Sequence, residues 1–199
     1  LDHIKTKKPI KIFSLKNAKI LEEVKPVSEW ILMQTLIALR HFREDLVGAK
    51  IGIIGTGRIV GHAGSAFKKL GANVSGIDKG GDLEKLISEN EIICICISEE
   101  GNHHFLDRRI IDMLRGKIII NSSRPWIIDQ KYMFKRLKEK YVRYMACDSL
   151  KSWLCYGMTD NLRLTDHIGG STVGARNKVN EWLSKQVKFW KTGIQKGEI

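Results

Sequence analysis

The residues best placed to do chemistry begin with Gly55-Thr56-Gly57 and Asp78. From Lys50 the chain runs as a short apolar strand, Lys-Ile-Gly-Ile-Ile, then a glycine turn and a helical stretch from Arg58. A second strand, Ala-Asn-Val-Ser-Gly-Ile, follows and is closed by Asp78. Gly55 permits the tight turn, and Gly57 lets backbone N–H groups approach a pyrophosphate at the positive end of the helix. Asp78 can accept hydrogen bonds from a ribose diol. Strand, turn, helix, strand and acid in this order are the layout of a dinucleotide-binding βαβ unit. Val60 stands where a third glycine would be, with Gly61 after it. That glycine serves helix-to-strand packing, so the departure predicts altered packing more than altered phosphate contact.

The elements that must position these residues are legible as alternation. Apolar, β-rich runs cover Lys50 to Ile54, Asn73 to Ile77, Ile92 to Ile97, Lys117 to Asn121, Tyr144 to Cys147 and Leu162 to Thr165. Helical patterns lie between them at Arg58 to Leu70, Asp82 to Ser88, Asp107 to Leu114 and Gln130 to Lys138. Runs that are apolar at every residue, such as Ile118-Ile119-Ile120, suit a parallel sheet covered on both faces. The fold class predicted is therefore α/β, a doubly wound parallel sheet of Rossmann type, with ligand at the carboxyl ends of the strands. Three further segments sit at those ends: Asn121-Ser122-Ser123-Arg124, then Asp148, then Asp166-His167-Ile168-Gly169-Gly170.

A long apolar helix precedes this domain over Val27 to Phe42, with Pro26 near its start, Ser28 as a candidate cap, and Trp30, Ile31, Leu32, Met33, Leu36, Ile37 and Leu39 around most of its circumference. Such a helix must be buried on nearly all sides, which predicts a homodimer through helix 27–42. A C-terminal helix is expected over Thr172 to Trp190, with Val179, Trp182, Leu183, Val187 and Trp190 packing into a core. Ile10 to Phe13 reads as one short strand without an obvious partner. The domain division expected is 1–25, 26–175 and 176–199.

A chain of 199 residues with three prolines and ordinary apolar content can bury one sizeable core, or one core plus an appendage. No run is long enough to span a bilayer and no signal-peptide region is visible, which predicts a cytoplasmic protein. The formal charge of +12 is spread along predicted helix faces with acids interleaved, so it reads as solvated surface; no motif supports nucleic-acid binding. Cys94, Cys96 and Cys147 read as buried strand residues, and Cys155 adds no Cys-x-x-Cys spacing, so no metal site is expected. His3, His41, His62, His103 and His104 lack a chemical context and read as structural or exposed.

Taken together, the motifs resemble the D-isomer-specific 2-hydroxyacid dehydrogenases, whose NAD domain carries Gly-x-Gly-Arg-Ile-Gly, Asn-x-x-Arg-Gly-Gly, Ala-x-Asp and His-Ile-Gly-Gly segments. The resemblance runs from Leu1-Asp2-His3-Ile4 to the C-terminal helix. It implies NAD as cofactor and a small 2-hydroxy or 2-keto acid as substrate. It makes Arg124 the guanidinium that binds the substrate carboxylate and His167 the acid-base at the carbonyl oxygen, roles that a planar donor fork and an imidazole suit. It gives Arg58 and Ile59 pyrophosphate contact, Asp78 the adenosine ribose, Ser122 and Ser123 the nicotinamide half, and Asp148 the carboxamide. Gly169 and Gly170 allow close approach to the cofactor.

The departures predict low activity. The resemblance implies a glutamate on the catalytic histidine, yet none occurs between Glu139 and Glu181. By count from Asp148, Trp153 stands in its place, with Asp160 as a candidate substitute. Pro125-Trp126 replaces two glycines after Arg124, and Asp166 replaces a proline before His167. Family members also carry a substrate domain of about 100 residues, of which Leu1 to Lys25 matches only the end. The chain is then either part of a longer protein or a short form. The alternative reading is a non-enzymatic NAD(H)-sensing or dimerising module of the corepressor type.

Overall fold

The computed structural model describes residues 12–15, 18–55, 57–98, 100–153 and 156–192. The chain divides into two compact units, one of Lys25–Thr172 and one that joins Leu1–Val24 to Val173–Ile199. The larger unit holds six strands, β1 (Lys50–Ile54), β2 (Asn73–Ile77), β3 (Ile92–Ile95), β4 (Ile118–Asn121), β5 (Tyr144–Cys147) and β6 (Leu162–Leu164). All pair in parallel, in the order β2-β1-β3-β4-β5-β6. The doubly wound α/β architecture is thus present.

Alternation along the strands decides which helix covers which face. Ile51, Ile53, Ile92, Cys94, Ile118 and Ile120 pack with α1 (Pro26–His41) and α2 (Arg58–Lys69). Ile93, Ile95, Ile119 and Met145 turn the other way, against α3 (Leu83–Glu89), α4 (Arg108–Met113) and α5 (Gln130–Lys138). Asp82, Asp107 and Asp129 cap α3, α4 and α5 by accepting from the backbone N–H groups of Lys85, Ile110 and Tyr132. The fully apolar strand runs follow from this two-sided burial.

Within the chain α1 is not buried on all sides. Its buried stripe contains the two polar residues of the apolar run, Gln34 and Thr35, each 0% exposed, while Met33 and Leu36 are 43% and 38% exposed. Thr35 is accommodated by donating to the Ile31 carbonyl at 2.9 Å, and Gln34 by accepting from Arg163 Nε at 3.0 Å. The loop after α1 is pinned to the start of β5 by Arg143, which reaches both carboxylate oxygens of Glu44 at 2.6 and 3.2 Å and lies 3.9 Å from the Phe42 ring centroid.

The second unit contains a short 3-10 turn, Lys19–Glu22, and α7 (Val173–Thr192). Lys178 Nζ reaches Glu23 through its carbonyl at 3.3 Å and its carboxylate at 3.8 Å. On the apolar stripe of α7, Val179, Trp182, Leu183 and Val187 are half-buried and Trp190 is exposed. The strand expected over Ile10 to Phe13 falls partly outside the described residues, and Ile12 and Phe13 carry no strand. No helix among the described residues is long and apolar enough to cross a membrane, and none of their His, Cys, Asp and Glu groups could hold a metal ion.

Cys94 and Cys147 are fully buried, and Cys96, just past β3, is half-buried. Burial pushes the Cys94 thiol well above its ordinary range and the Cys147 thiol to about 11. Thiolate is the reactive form. A maleimide reagent at pH 8 is therefore expected to leave Cys94 and Cys147 unmodified in the native chain and to label both in urea, as read by peptide mass mapping.

Candidate functional site

The chain leaves β1 outward to β2 and returns to β3 on the far side of β1, so its direction reverses between β1 and β3. A cavity of about 490 Å³ opens at the carboxyl ends of these strands. Ile54 and Gly55 line it from β1, Ile77 and Asp78 from β2, and Cys96 and Ile97 from β3. A reversal of this kind is where open α/β sheets bind ligands.

Local geometry explains why glycine occupies the turn. Gly55 has φ +106°, and a Cβ there would lie 2.7 Å from the Cys96 carbonyl oxygen. Gly57 is different, because a Cβ on it would meet nothing within 4 Å. The protein itself does not demand glycine at 57; the open space above the first turn of α2 fits a group that comes close to the backbone. Val60, in the third-glycine position, packs against the α1 and α2 face of the core. Gly64, one turn further on, faces the sheet instead, with Cβ room bounded by Ile53 at 3.5 Å and Val74 at 3.7 Å.

At the other strand ends, side chains are largely committed to shaping loops. Asn121, fully buried in β4, accepts from the Ser123 N–H at 2.9 Å and sets the turn that carries Arg124 outward. Ser122 and Ser123 hydroxyls both donate to the Ile95 carbonyl at 3.1 Å, tying the end of β4 to the end of β3. Arg124 is exposed. It opens onto a 3-10 turn, Pro125–Ile127, in which Pro125 is buried and Trp126 is 43% exposed.

Asp148, 7% exposed after β5, accepts three hydrogen bonds. Its Oδ1 accepts from Thr165 Oγ1 at 2.5 Å and from the Ile168 N–H at 2.9 Å, and its Oδ2 accepts from the Gly169 N–H at 2.7 Å. The bonds fold the segment after β6 into a tight turn in which His167 takes φ +55° with its side chain exposed. A Cβ on Gly169 would stand 2.8 Å from Asp148 Oδ2 and 3.3 Å from Trp30 Cγ, so only glycine fits. Gly170 is looser, its nearest contact being Val27 at 3.6 Å. β4 and β6 flank β5, so the segments bearing Arg124 and His167 leave the sheet roughly 10 Å apart, two strand spacings.

Trp153, which takes the glutamate's place by count, closes α6 (Leu150–Trp153), is 0% exposed, and packs into the core with Tyr156 at 6.1 Å between ring centroids. Asp160, the candidate substitute, pairs with Lys140 at 3.5 Å on the surface. Sequence reading also passed over Trp30 and Thr165, which are bonded to each other at 3.0 Å across 135 residues of chain and leave no local signal. Cys155 lies outside the described residues.

Residues 19–169 match the family D-isomer specific 2-hydroxyacid dehydrogenase, NAD binding domain. The chain belongs to this family. It is 26% identical over 168 residues to a glyoxylate reductase of Pyrococcus horikoshii, covering 75% of this chain and 50% of the relative. A D-lactate dehydrogenase of Treponema pallidum is 25% identical over 137 residues, covering 59% of this chain and 41% of the relative. The chain thus spans about half the length of the curated relatives it matches or less. In fold it is similar to D-2-hydroxyisocaproate dehydrogenase, with a TM-score of 0.73 at 24% identity over 89% of this chain and 69% of that one. It is also similar to NAD-dependent formate dehydrogenase from Staphylococcus aureus in complex with NAD, with a TM-score of 0.75 at 16% identity over 89% of this chain and 65% of that one.

NAD is the cofactor of this domain family, and the cavity, the open space at Gly57 and the acid ending β2 suit it. Gly55→Ala puts a Cβ into the Cys96 carbonyl at a positive φ, a strain of about 1–3 kcal/mol. It is expected to lower the urea midpoint and abolish NADH binding, whereas Gly57→Ala should weaken NADH binding and leave the urea midpoint unchanged.

Proposed function

We propose that this chain supplies the NAD-binding half of an oxidoreductase that transfers hydride between NAD and a 2-hydroxy or 2-keto acid. The observation that carries this reading is that Arg124, Asp148 and His167 follow three neighbouring strands, β4, β5 and β6, of the sheet whose β1, β2 and β3 ends line the cavity. Gly55, Gly57 and the first amides of α2, at Arg58 and Ile59, hold the pyrophosphate. Asp78 accepts from the adenosine ribose, a contact that favours NAD over a cofactor with a 2′-phosphate. Ser122, Ser123, Gly169 and Gly170 line the nicotinamide half, and the Asp148 carboxylate takes the carboxamide on the side of Oδ2, where one donor is bound. When bound, the cofactor gives or accepts the hydride. Arg124 holds the substrate carboxylate with a planar pair of donors, and His167 exchanges the proton at the carbonyl oxygen.

Turnover by this chain is slow in this reading. Among the described residues no acidic side chain bonds the His167 imidazole, and Pro125 and Trp126 add bulk after Arg124. We infer further that α1 joins two copies of the chain, because Met33 and Leu36 leave apolar surface on its outer side.

Fluorescence titration with NADH tests the cofactor half: Asp78→Ala should raise Kd about tenfold, one lost charge-assisted contact. NADH oxidation with glyoxylate tests the chemistry, and His167→Ala should lower any rate by about 100-fold or more. NADH binding with no rate on any simple 2-keto acid would instead favour the sensing-module reading. For the dimer, sedimentation at micromolar concentration should give two copies for the native chain and one for the double variant Met33→Glu, Leu36→Glu.

A further inference from the structure

α1 reaches both halves of the site from its first two turns. Ser28 Oγ donates to the Ile59 carbonyl at 3.0 Å, in the opening turn of α2. Trp30 Nε1 donates to Thr165 Oγ1 at 3.0 Å, and that hydroxyl in turn donates a hydrogen bond to Asp148, which accepts from the Ile168 and Gly169 amides just after His167. Residues two apart on a helix diverge by about 200°, so Ser28 and Trp30 leave α1 on opposite sides. They are 7% and 4% exposed, and such buried polar atoms are committed to these bonds.

A second bond sets the register of this contact. Gln34 Oε1 accepts from Arg163 Nε at 3.0 Å. Trp30 and Gln34 are one helical turn apart, about 6 Å along α1, and Thr165 and Arg163 are two residues apart, about 6.6 Å along the strand direction. The two spacings match, so both bonds form together and a slide of α1 along β6 breaks both. Among the described residues no side chain bonds the His167 imidazole, so its orientation comes from the backbone turn that this chain of bonds holds at φ +55°.

We propose that Ser28, Trp30 and Thr165 are positioning residues: the first part of α1 is a strut that sets the separation between the start of α2 and the His167 turn. The placement of the imidazole relative to a bound dinucleotide follows from it. The assignment rests on reading His167 and the start of α2 as the two working ends of the site.

The test uses the full chain with three readouts: NADH titration, NMR titration of the His167 ring, and hydrogen exchange at the Ile168 and Gly169 amides. Ser28→Ala should raise the NADH Kd roughly three- to tenfold, one buried hydrogen bond, with the His167 titration unmoved. Trp30→Phe and Thr165→Val should shift the His167 midpoint and cut protection of both amides about tenfold. Thr165→Ser, which keeps the hydroxyl, should behave as the native chain. An unmoved His167 and unchanged amides in Trp30→Phe and Thr165→Val would overturn the proposal. So would Thr165→Ser matching Thr165→Val, or all readouts falling together with Tm, the mark of packing alone. If the native chain fails to bind NADH, the dinucleotide reading is the one that fails, and the His167 and amide readouts still decide the Trp30 end of the strut.

Discussion

Burial of one parallel sheet on both faces is the constraint from which the rest of this structure follows. Parallel neighbours require a crossover for each strand, and two-sided burial requires those crossovers to be shared between the faces. α1 and α2 take one face and α3, α4 and α5 the other. All six strands then end at the same edge of the sheet. The glycine turn, Asp78, Arg124, Asp148 and His167 are distant in sequence, and this common edge is what gathers them. The strand order adds the cavity, because only between β1 and β3 do the connections lead away in opposite directions.

At that edge polar groups are used first to make loops rigid and only then remain for a ligand. Ser122 and Ser123 both donate to one carbonyl of β3, and Asp148 accepts three donors from the segment that carries His167. Such buried networks are stable when fully satisfied. The Asp148 carboxylate is therefore already oriented, with fewer lone pairs left over for any ligand. Elsewhere the surplus of positive charge is handled by local pairing. Arg136 lies between Tyr132 and Tyr141 and bonds Asp112; burial alone would raise that carboxyl, and the hydrogen bonds from Tyr132 and Arg136 outweigh it and hold it low. Most other ion pairs are between exposed groups, where each contributes little.

Much of the fold was legible because the signals were local. The all-apolar strand runs, the helical stretches between them and the glycine turn each reflect neighbours in sequence, and the boundaries moved by only a residue or two. Short elements without periodicity, α6 and the 3-10 turn at Pro125–Ile127, gave no such signal. On α1 the burial of Gln34 and Thr35 was not legible either, because it depends on partners outside the helix's side-chain pattern: Arg163 Nε donates to Gln34 Oε1 and the Ile31 carbonyl accepts from Thr35. The burial of Trp153 was not legible, because a count along the loop gives a position in the chain and not the surroundings of the indole.

By itself the sequence determined the α/β class, the cofactor turn and the identity of the groups at the strand ends, because hydrophobic period and glycine placement are properties of short stretches. Only the tertiary structure decided what those groups do with one another. That Asp148 serves the His167 turn, that Trp30 and Thr165 meet, and that Trp153 is buried in the core all depend on how the chain packs in three dimensions. Such contacts are set by how helices pack on the sheet, and no spacing along the chain encodes them.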